Sequence, residues 1–440
     1  MDNDINDSWS SKFGFLMASA GSAVGLGNLW RFPFITANNG GGAFVLLYLI
    51  LALTVGLTLW LLETGLGHVM KANPVDALKK INPRFGFIGF IGIVGATVIF
   101  SFYSVIGGWI IHYFIIFTQN ILTENAAEHF QKFIQNPYQT VFYTLVFLFL
   151  SSHIVYKGVQ NGIEKYSKIM MPALFVLIVV LTARSVLLPK AFEGLAFFFL
   201  PDFSKITTQT FLAALGQVFF SLSIGMGIFI TYGMYMNNEK SLLIRTSLSV
   251  VVLDTLISVL AGCMIFPAVF HFGVSVNAGP TLVFITLPQI FAVMPFGKIV
   301  GLLFFVLLLL AALTSSISMI EVSVAYLETK FRTPRHKAVV RISIVSVLMA
   351  VPFSLSFGVL DNIRIFGRNL FDFADTTASN ILLPLGGFLT CIAVGWFYGA
   401  KNLTLFKSET MNAFFAFMVK YLAPAAILLV FLDAAGLIKY

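Results

Sequence analysis

The chain has 440 residues, of which 58% are hydrophobic and only 10% charged, with a mean hydropathy of +0.92. This excludes an ordinary soluble domain, which needs far more charge to cover its surface. The net charge of +8 does not indicate nucleic acid, because the Lys and Arg residues are scattered between hydrophobic runs and form no single basic surface.

A membrane-spanning helix needs roughly 20 apolar residues. On that measure the sequence predicts an all-α integral membrane protein with eleven spans. They lie near 13–37, 42–69, 87–122, 138–155, 166–187, 208–235, 243–271, 297–327, 339–358, 369–398 and 412–436. The polar, acidic stretch from Met1 to Ser11 has no basic n-region or small-residue cleavage site, so no removable signal peptide is expected. Cys263 and Cys391 both fall in apolar runs and read as small buried residues.

Alternate loops are basic. One set carries Lys71, Lys79, Lys80 and Arg84, then Lys157, Lys165 and Lys168, then Lys240 and Arg245, then Lys330 to Arg341, and finally Lys401 and Lys407. The positive-inside bias then puts the N-terminus in the cytoplasm and the C-terminus outside, in a cell inner membrane.

Two spans are interrupted by glycine, in Ala20-Gly-Ser-Ala-Val-Gly-Leu-Gly-Asn28 and in Ser221-Leu-Ser-Ile-Gly-Met-Gly227. Glycine is costly inside a helix. Breaks in the first and sixth spans are what a five-plus-five inverted repeat gives, with helices 1 and 6 broken at the midplane around a binding site. Glycine-mediated close packing of helices is the competing reading. The repeat reading divides the chain into a segment 1–12, a first repeat 13–187, an extracellular loop 188–207, a second repeat 208–398, and a last helix with its preceding loop over 399–440.

Glu63, Asp254 and Glu321 lie well inside apolar spans, where a charge is a functional hypothesis by default. Hydroxyl clusters accompany them at Thr314-Ser315-Ser316 and after Asp375, at Thr376-Thr377. No His/Cys grouping has metal-ligand spacing, no glycine loop precedes a Lys-Ser/Thr pair, and no Ser/His/Asp arrangement has recognisable context. An enzyme is therefore not expected. Oxygen donors around a broken helix instead suit a hard cation such as sodium. Amides at a half-helix N-terminus suit a carboxylate, so an α-amino acid matches the inventory.

The run Gly21-Ser-Ala-Val-Gly-Leu-Gly-Asn-Leu-Trp-Arg-Phe-Pro33 closely resembles the neurotransmitter:sodium symporter family, especially its bacterial amino-acid members. So do Asn38-Asn-Gly-Gly-Gly-Ala-Phe44, Gly216-Gln-Val-Phe-Phe-Ser-Leu-Ser223, Phe284-Ile-Thr-Leu-Pro288 and Leu313-Thr-Ser-Ser316, and the likeness runs over nearly the whole chain. The broken-helix architecture is one for which this family is itself a type case.

The resemblance implies sodium-coupled symport of a small amino acid across the lipid bilayer, with two sodium ions bound. The first would meet the Ala23 carbonyl, Asn28, Ser221, Asp254 and the substrate carboxylate. The second would meet the carbonyls of Gly21, Val24 and Ala311 and the hydroxyls of Thr314 and Ser315. Those two hydroxyls have a competing use, bonding back to their own helix. Substrate contacts implied are Ala23, Gly25, Gly27, Tyr103, Phe220, Ser221, Ser223, Met226, Ser315 and Met319. Tyr103 would hold the carboxylate and Phe220 would form the lid. Arg31 and Asp372 would form the outer gate with Tyr103 and Phe220.

Gly25 stands where monoamine transporters of the family carry an Asp, which favours a substrate bringing its own carboxylate. Met226, as a flexible wall, suggests a large hydrophobic or aromatic side chain, tyrosine among the candidates. The chloride-dependent members place the anion near positions matching Tyr48, Gln217, Ser221 and Ser258, with an Asn where this chain has Asp254, so chloride-independent transport is expected. The inner-gate pair is replaced by Asn6 and Thr329, leaving Tyr235 and Glu321. Gly162 and Pro172 form a Gly-X9-Pro spacing that implies either local unwinding or a simple kink. A sodium-dependent amino-acid sensor without net transport is the alternative, and the oligomeric state stays open.

Overall fold

The computed structural model describes residues 8–119, 125–237, 240–274, 282–434 and 437. Among these residues the regular elements are all helical, with two isolated bridges in place of any strand. The first span is split into α1 (Lys12–Ala23) and α2 (Phe32–Asn38), joined through a π-helical turn at Gly27–Arg31. Next come α3 (Gly42–Met70), α4 (Pro83–Gln119), α5 (Pro137–Tyr156) and α6 (Val159–Val186). The sixth span is split into α7 (Thr208–Ser221) and α8 (Ile228–Met234). After α9 (Leu242–Phe272) a short apolar helix, α10 (Leu282–Val293), precedes α11 (Gly297–Phe331), α12 (Arg335–Leu355), α13 (Leu370–Tyr398) and α14 (Glu409–Ala434).

Among the described residues nine helices are long and apolar enough to cross a membrane. The two predicted spans missing from that count are the two that are broken, so the eleven-span reading holds with helices 1 and 6 interrupted. Two boundaries differ from the expected ones. The span expected at 339–358 starts at Arg335, directly after Pro334, because Arg and Lys are good helix formers outside the apolar stretch. The span expected at 166–187 starts earlier, at Val159, with a π-helical turn.

Local chemistry sets the ends of the broken helices. The Ser11 side chain accepts from the Gly14 N–H and starts α1. Extended backbone at Val24 (φ −72°, ψ 106°) ends it. The sixth span breaks where Ser223, Gly225 and Gly227 all have positive φ. Gly225, at φ +90°, could not carry a side chain in any case, because a Cβ there would overlap the Leu383 carbonyl of α13.

The broken pairs lie inside the bundle: α1 packs against α6, α9 and α11, and α8 packs along α3. This burial places the freed backbone groups of both breaks away from lipid, the one setting in which irregular backbone is tolerated at membrane depth.

Candidate functional site

Ending a helix in mid-bundle leaves its last carbonyls without intrahelical partners. In α1 the Val24 N–H still bonds Ala20 O at 2.7 Å, but the Gly25 N–H turns to Asn28 Oδ1 at 2.9 Å. The Gly21 carbonyl is thereby released, and the next three follow. The Ser22 carbonyl accepts from Ser223 Oγ at 3.0 Å, a bond that ties the two breaks together. Ala23 closes α1 and is buried.

On one side of the break lies an oxygen cluster. Asp254 of α9 is fully buried, and its carboxylate accepts from Asn28 Nδ2 at 2.7 Å, Ser221 Oγ at 2.8 and 2.9 Å, and Tyr48 OH at 3.1 Å. Ser258 Oγ stands 2.8 Å from the same Asn28 nitrogen. Among the described residues every hydrogen-bonding partner of this carboxylate is neutral. Carboxylate and hydroxyl oxygens at a buried anion form a donor set that fits a hard monovalent cation, while the Asn28 amide presents its nitrogen to them and its oxygen to the Gly25 N–H.

On the other side, Ser315 Oγ of α11 lies 3.3 Å from the Gly21 carbonyl and 3.1 Å from the Val24 carbonyl. Thr314 Oγ1 bonds the Leu310 and Ala311 carbonyls of its own helix, each at 3.0 Å. Gly21, Val24, Ala311, Thr314 and Ser315 thus lie in one linked set of oxygens, with Thr314 in the back-bonded arrangement.

Between the clusters, Tyr103 OH accepts from the Leu26 N–H at 3.3 Å, so the phenol and the first free amides of the second half-span face one another. Gly25 lies against this point. A Cβ on it would stand 2.7 Å from Ser315 Oγ and 3.3 Å from Tyr103 OH. Phe220 lies over Gly27, close enough that a Cβ there would come within 2.8 Å of the ring. Met226 is buried between the two positive-φ glycines, and Met319 is buried one turn along α11 from Ser315.

Above Phe220 opens a cavity of about 590 Å³, lined by Trp30, Arg31, Tyr103, Phe220, Asp372 and Asp375 among others. The Arg31 guanidinium sits 4.4 Å from the Phe220 ring centroid and donates to Gln217 Oε1 at 2.8 Å. Gln217 in turn donates to the Gly27 carbonyl at 3.1 Å. Arg31 and Asp372 share the cavity wall without an ion pair, and Asp375 lines the same cavity.

Sequence reasoning noted Asp375 only as part of a polar run, and the structure puts it on the cavity wall with Arg31 and Asp372. It also assigned Gln217 to an anion site alone. Nothing in the sequence marked the Ser22–Ser223 link.

At the basic end, Trp9 packs edge-on to Tyr232 and Tyr235 and donates Nε1–H to the Tyr232 carbonyl at 3.0 Å. Tyr235 OH bonds the fully buried Glu321 at 2.7 Å, and Arg335 clamps Glu321 (2.5 Å) and Glu328 (3.0 Å). Thr329 bonds Asn73, and Asn6 lies outside the described residues.

Broken helices meeting at two oxygen clusters, beside a cavity lined by Arg31 and Phe220, are the arrangement of a membrane transporter with a central binding site. The profile described as the sodium:neurotransmitter symporter family matches residues 6–132 and 121–440. An uncharacterized sodium-dependent transporter of Bacillus subtilis is 39% identical over 98% of both chains. Another, of Haemophilus influenzae, is likewise 39% identical over 98% of both. The crystal structure of MhsT in complex with L-phenylalanine is similar at a TM-score of 0.89 and 40% identity, covering 97% of this chain and 99% of that one. The chain belongs to the sodium:neurotransmitter symporter family, and is a transporter and not an enzyme.

Proposed function

We propose that the protein is a symporter that couples two sodium ions to the uptake of a large hydrophobic or aromatic amino acid, independently of chloride. The observation that carries this reading is Asp254: a fully buried carboxylate whose hydrogen-bonding partners among the described residues are neutral, tied to the helix break through Asn28. An uncompensated buried charge is costly, and a cation bound beside it removes the cost.

The first sodium belongs with the Ala23 carbonyl, Asn28, Ser221 and Asp254, and the second with Gly21, Val24, Ala311, Thr314 and Ser315. The amino-acid carboxylate belongs at Tyr103 OH and the amides of Leu26 and Gly27, next to the first ion. A shared boundary of this kind makes each ligand improve the other's site, which is coupling in its simplest form. Gly25 leaves no room for a protein carboxylate there, so the ligand must supply its own. Ser221, Ser223, Met226, Ser315 and Met319 surround the rest of the substrate. MhsT, 40% identical, was crystallised with L-phenylalanine, which supports an aromatic or large hydrophobic side chain.

The basic end faces the cytoplasm by the positive-inside rule, which puts the Arg31 cavity outside. Closure brings Phe220 down over the site and moves Arg31 from Gln217 to Asp372. The site then opens toward the cytoplasm. Inward sodium movement supplies roughly 2.3 kcal/mol per charge per 100 mV. Chloride is dispensable because Asp254 already provides the negative charge that Tyr48, Ser221 and Ser258 would otherwise direct onto an anion.

The test is uptake of labelled tyrosine and phenylalanine into proteoliposomes, with and without an inward sodium gradient, in chloride and in gluconate. Accumulation above equilibrium that needs sodium and ignores chloride is the expected outcome. Sodium-dependent binding with no accumulation would refute symport and leave the sensor.

A further inference from the structure

The outer cavity has a wall that neither the ion sites nor the gate residues account for. A loop helix, Ala126–Gln135, lies between α4 and α5 in the chain, and one of its faces, Ala126, Phe130, Phe133 and Ile134, is buried. Phe130, Gln131 and Ile134 line the cavity above Phe220. Phe130 stacks on Phe284 of α10 (centroids 5.5 Å apart, planes at 4°) and meets Trp109 of α4 edge-on at 5.3 Å. Two histidines fasten this helix to α4. His112 of α4 is buried and lies face to face with Phe133 at 3.7 Å. Its Nε2 stands 3.3 Å from Nε2 of the half-buried His129, with the two rings nearly parallel at 9°. His112 Nδ1 is buried and has no hydrogen-bond partner among the described residues. Among those residues no third His, Cys, Asp or Glu joins the pair in a group that could hold a metal. The neighbouring titratable groups are Tyr113 of α4, 5.9 Å from His129 between ring centroids, and Tyr143 of α5, 5.2 Å from His112. On the loop helix itself Glu128 pairs with Lys132 at 2.6 Å. The first turn of α10 (Leu282–Thr286) and α12 also pack on this helix, and neither that turn nor the outer half of α12, 345–355, contains a titratable residue.

We propose that His112 and His129 form a proton-sensitive clasp on the outer cavity wall, closed when the medium outside is neutral and released when it turns acid. The clasp goes beyond the symport reading and takes from it only that this end of the bundle faces outward. A contact between two imidazole nitrogens needs one proton, with one ring donating and the other accepting. An orphaned buried N–H is rarer than an under-satisfied acceptor, so the unpartnered Nδ1 of His112 is assigned as the bare nitrogen. His112 then donates through Nε2, and His129 accepts. A second proton, on His129 Nε2, sets N–H against N–H across the 3.3 Å gap. Moving the His112 proton to Nδ1 would relieve that clash only by burying a donor without a partner. Burial, with Lys132 nearby, accordingly holds the His129 imidazole below the ordinary histidine value of 6.5. A lowered value means that the folded contact resists the proton. Its stabilisation is complete above the ordinary value and is lost as the pH falls through the lowered one. The element released is the helix that bears Phe130, so acid outside unfastens the aromatic contact among α4, the loop helix and α10. A loosened wall closes less well over the substrate, and transport slows.

The test uses the full chain in proteoliposomes, with Cys263 and Cys391 replaced by Ala and one reporter cysteine at a time. Ala126→Cys, on the buried face of the loop helix, reports release. Gln135→Cys, exposed on the same helix, corrects for the pH dependence of thiol alkylation itself. As the outer pH falls from about 7.5 to about 5 at fixed inner pH, the ratio of the two alkylation rates should rise by about tenfold. His129→Gln places a neutral amide opposite His112 Nε2 and removes the titration, so its ratio should match the parent at neutral pH and stay level in acid. Should that variant fail to fold, His112→Gln serves: its amide oxygen accepts from a protonated His129, and acid should leave the ratio level or lower it. A parent ratio that does not rise, or a rise that persists in His129→Gln, would overturn the clasp. Sodium-driven amino-acid uptake is followed in parallel, and should fall in acid in the parent but much less in His129→Gln. The same pH profile in both would overturn the role in closure. No sodium-driven uptake at neutral pH would sink the symport reading instead, with the reporter result still deciding the clasp.

Discussion

Replacing Asp254 by Asn tests the reading of the ion site most directly, because it keeps the shape and removes the charge. The carboxylate now accepts from Asn28 at 2.7 Å, Ser221 at 2.8 and 2.9 Å, and Tyr48 at 3.1 Å. An amide retains one acceptor oxygen. The hydroxyls of Ser221 and Tyr48 can rotate to accept from its N–H group, so the hydrogen-bonding penalty is small. The charge is the main loss. A unit charge about 4 Å from a sodium ion, at an effective dielectric near 20, contributes about 4 kcal/mol, or about three orders of magnitude in affinity. Chloride could enter beside Tyr48, Ser221 and Ser258 and restore part of it. The assay is a sodium titration of amino-acid binding to the purified protein, in chloride and in gluconate. In gluconate the variant should need sodium raised by about two to three orders of magnitude, chloride should recover part of the loss, and the unmodified protein should ignore the anion. A variant within about threefold of the unmodified protein in gluconate would refute the assignment of Asp254 as the first ion's counter-charge.

Other substitutions probe the remaining parts of the site. Gly25→Ala puts a methyl 2.7 Å from Ser315 Oγ and 3.3 Å from Tyr103 OH, and should weaken amino-acid binding by about tenfold or more in equilibrium dialysis while leaving thermal stability near that of the parent. Gly225→Ala meets both a φ of +90° and the Leu383 carbonyl, so it should lower the thermal midpoint sharply, a loss of about 1–3 kcal/mol or more, before any effect on transport is separable. Arg31→Gln combined with Asp372→Asn, and separately with Asp375→Asn, forms two double-mutant cycles on uptake. An interaction of about 1 kcal/mol or more is expected with Asp372, as the partner in the closed gate, and its absence would leave Asp375 as the gating carboxylate.

What the sequence made legible follows from how local each feature is. Spans are readable because about 20 apolar residues have to be contiguous, and the two breaks because Gly225 must be glycine for its own backbone angle and its contact with α13. Asn28, Ser221 and Asp254 can be grouped only through resemblance, since they come from three helical segments, and only Asp254, a charge within an apolar run, stands out by itself.

The gates behave differently. Arg31 is hydrogen-bonded to Gln217 while it and Asp372 line the same cavity, so in the proposed cycle its partner depends on the state of the molecule as well as on the residues present. At the basic end, the hydrogen bonds from Ser10 to the Glu164 carboxylate join positions 154 apart in the chain through a serine that any solvent-exposed N-terminus could carry. An ion cage must keep its oxygens whatever the gates do, whereas a gate needs only some pair of groups that can part. A chain can therefore lose the expected inner ion pair and still close. This fits the proposed reading, in which the ion-site residues stand together beside contacts of Trp9, Glu321, Arg335 and Glu164 at the basic end of the bundle.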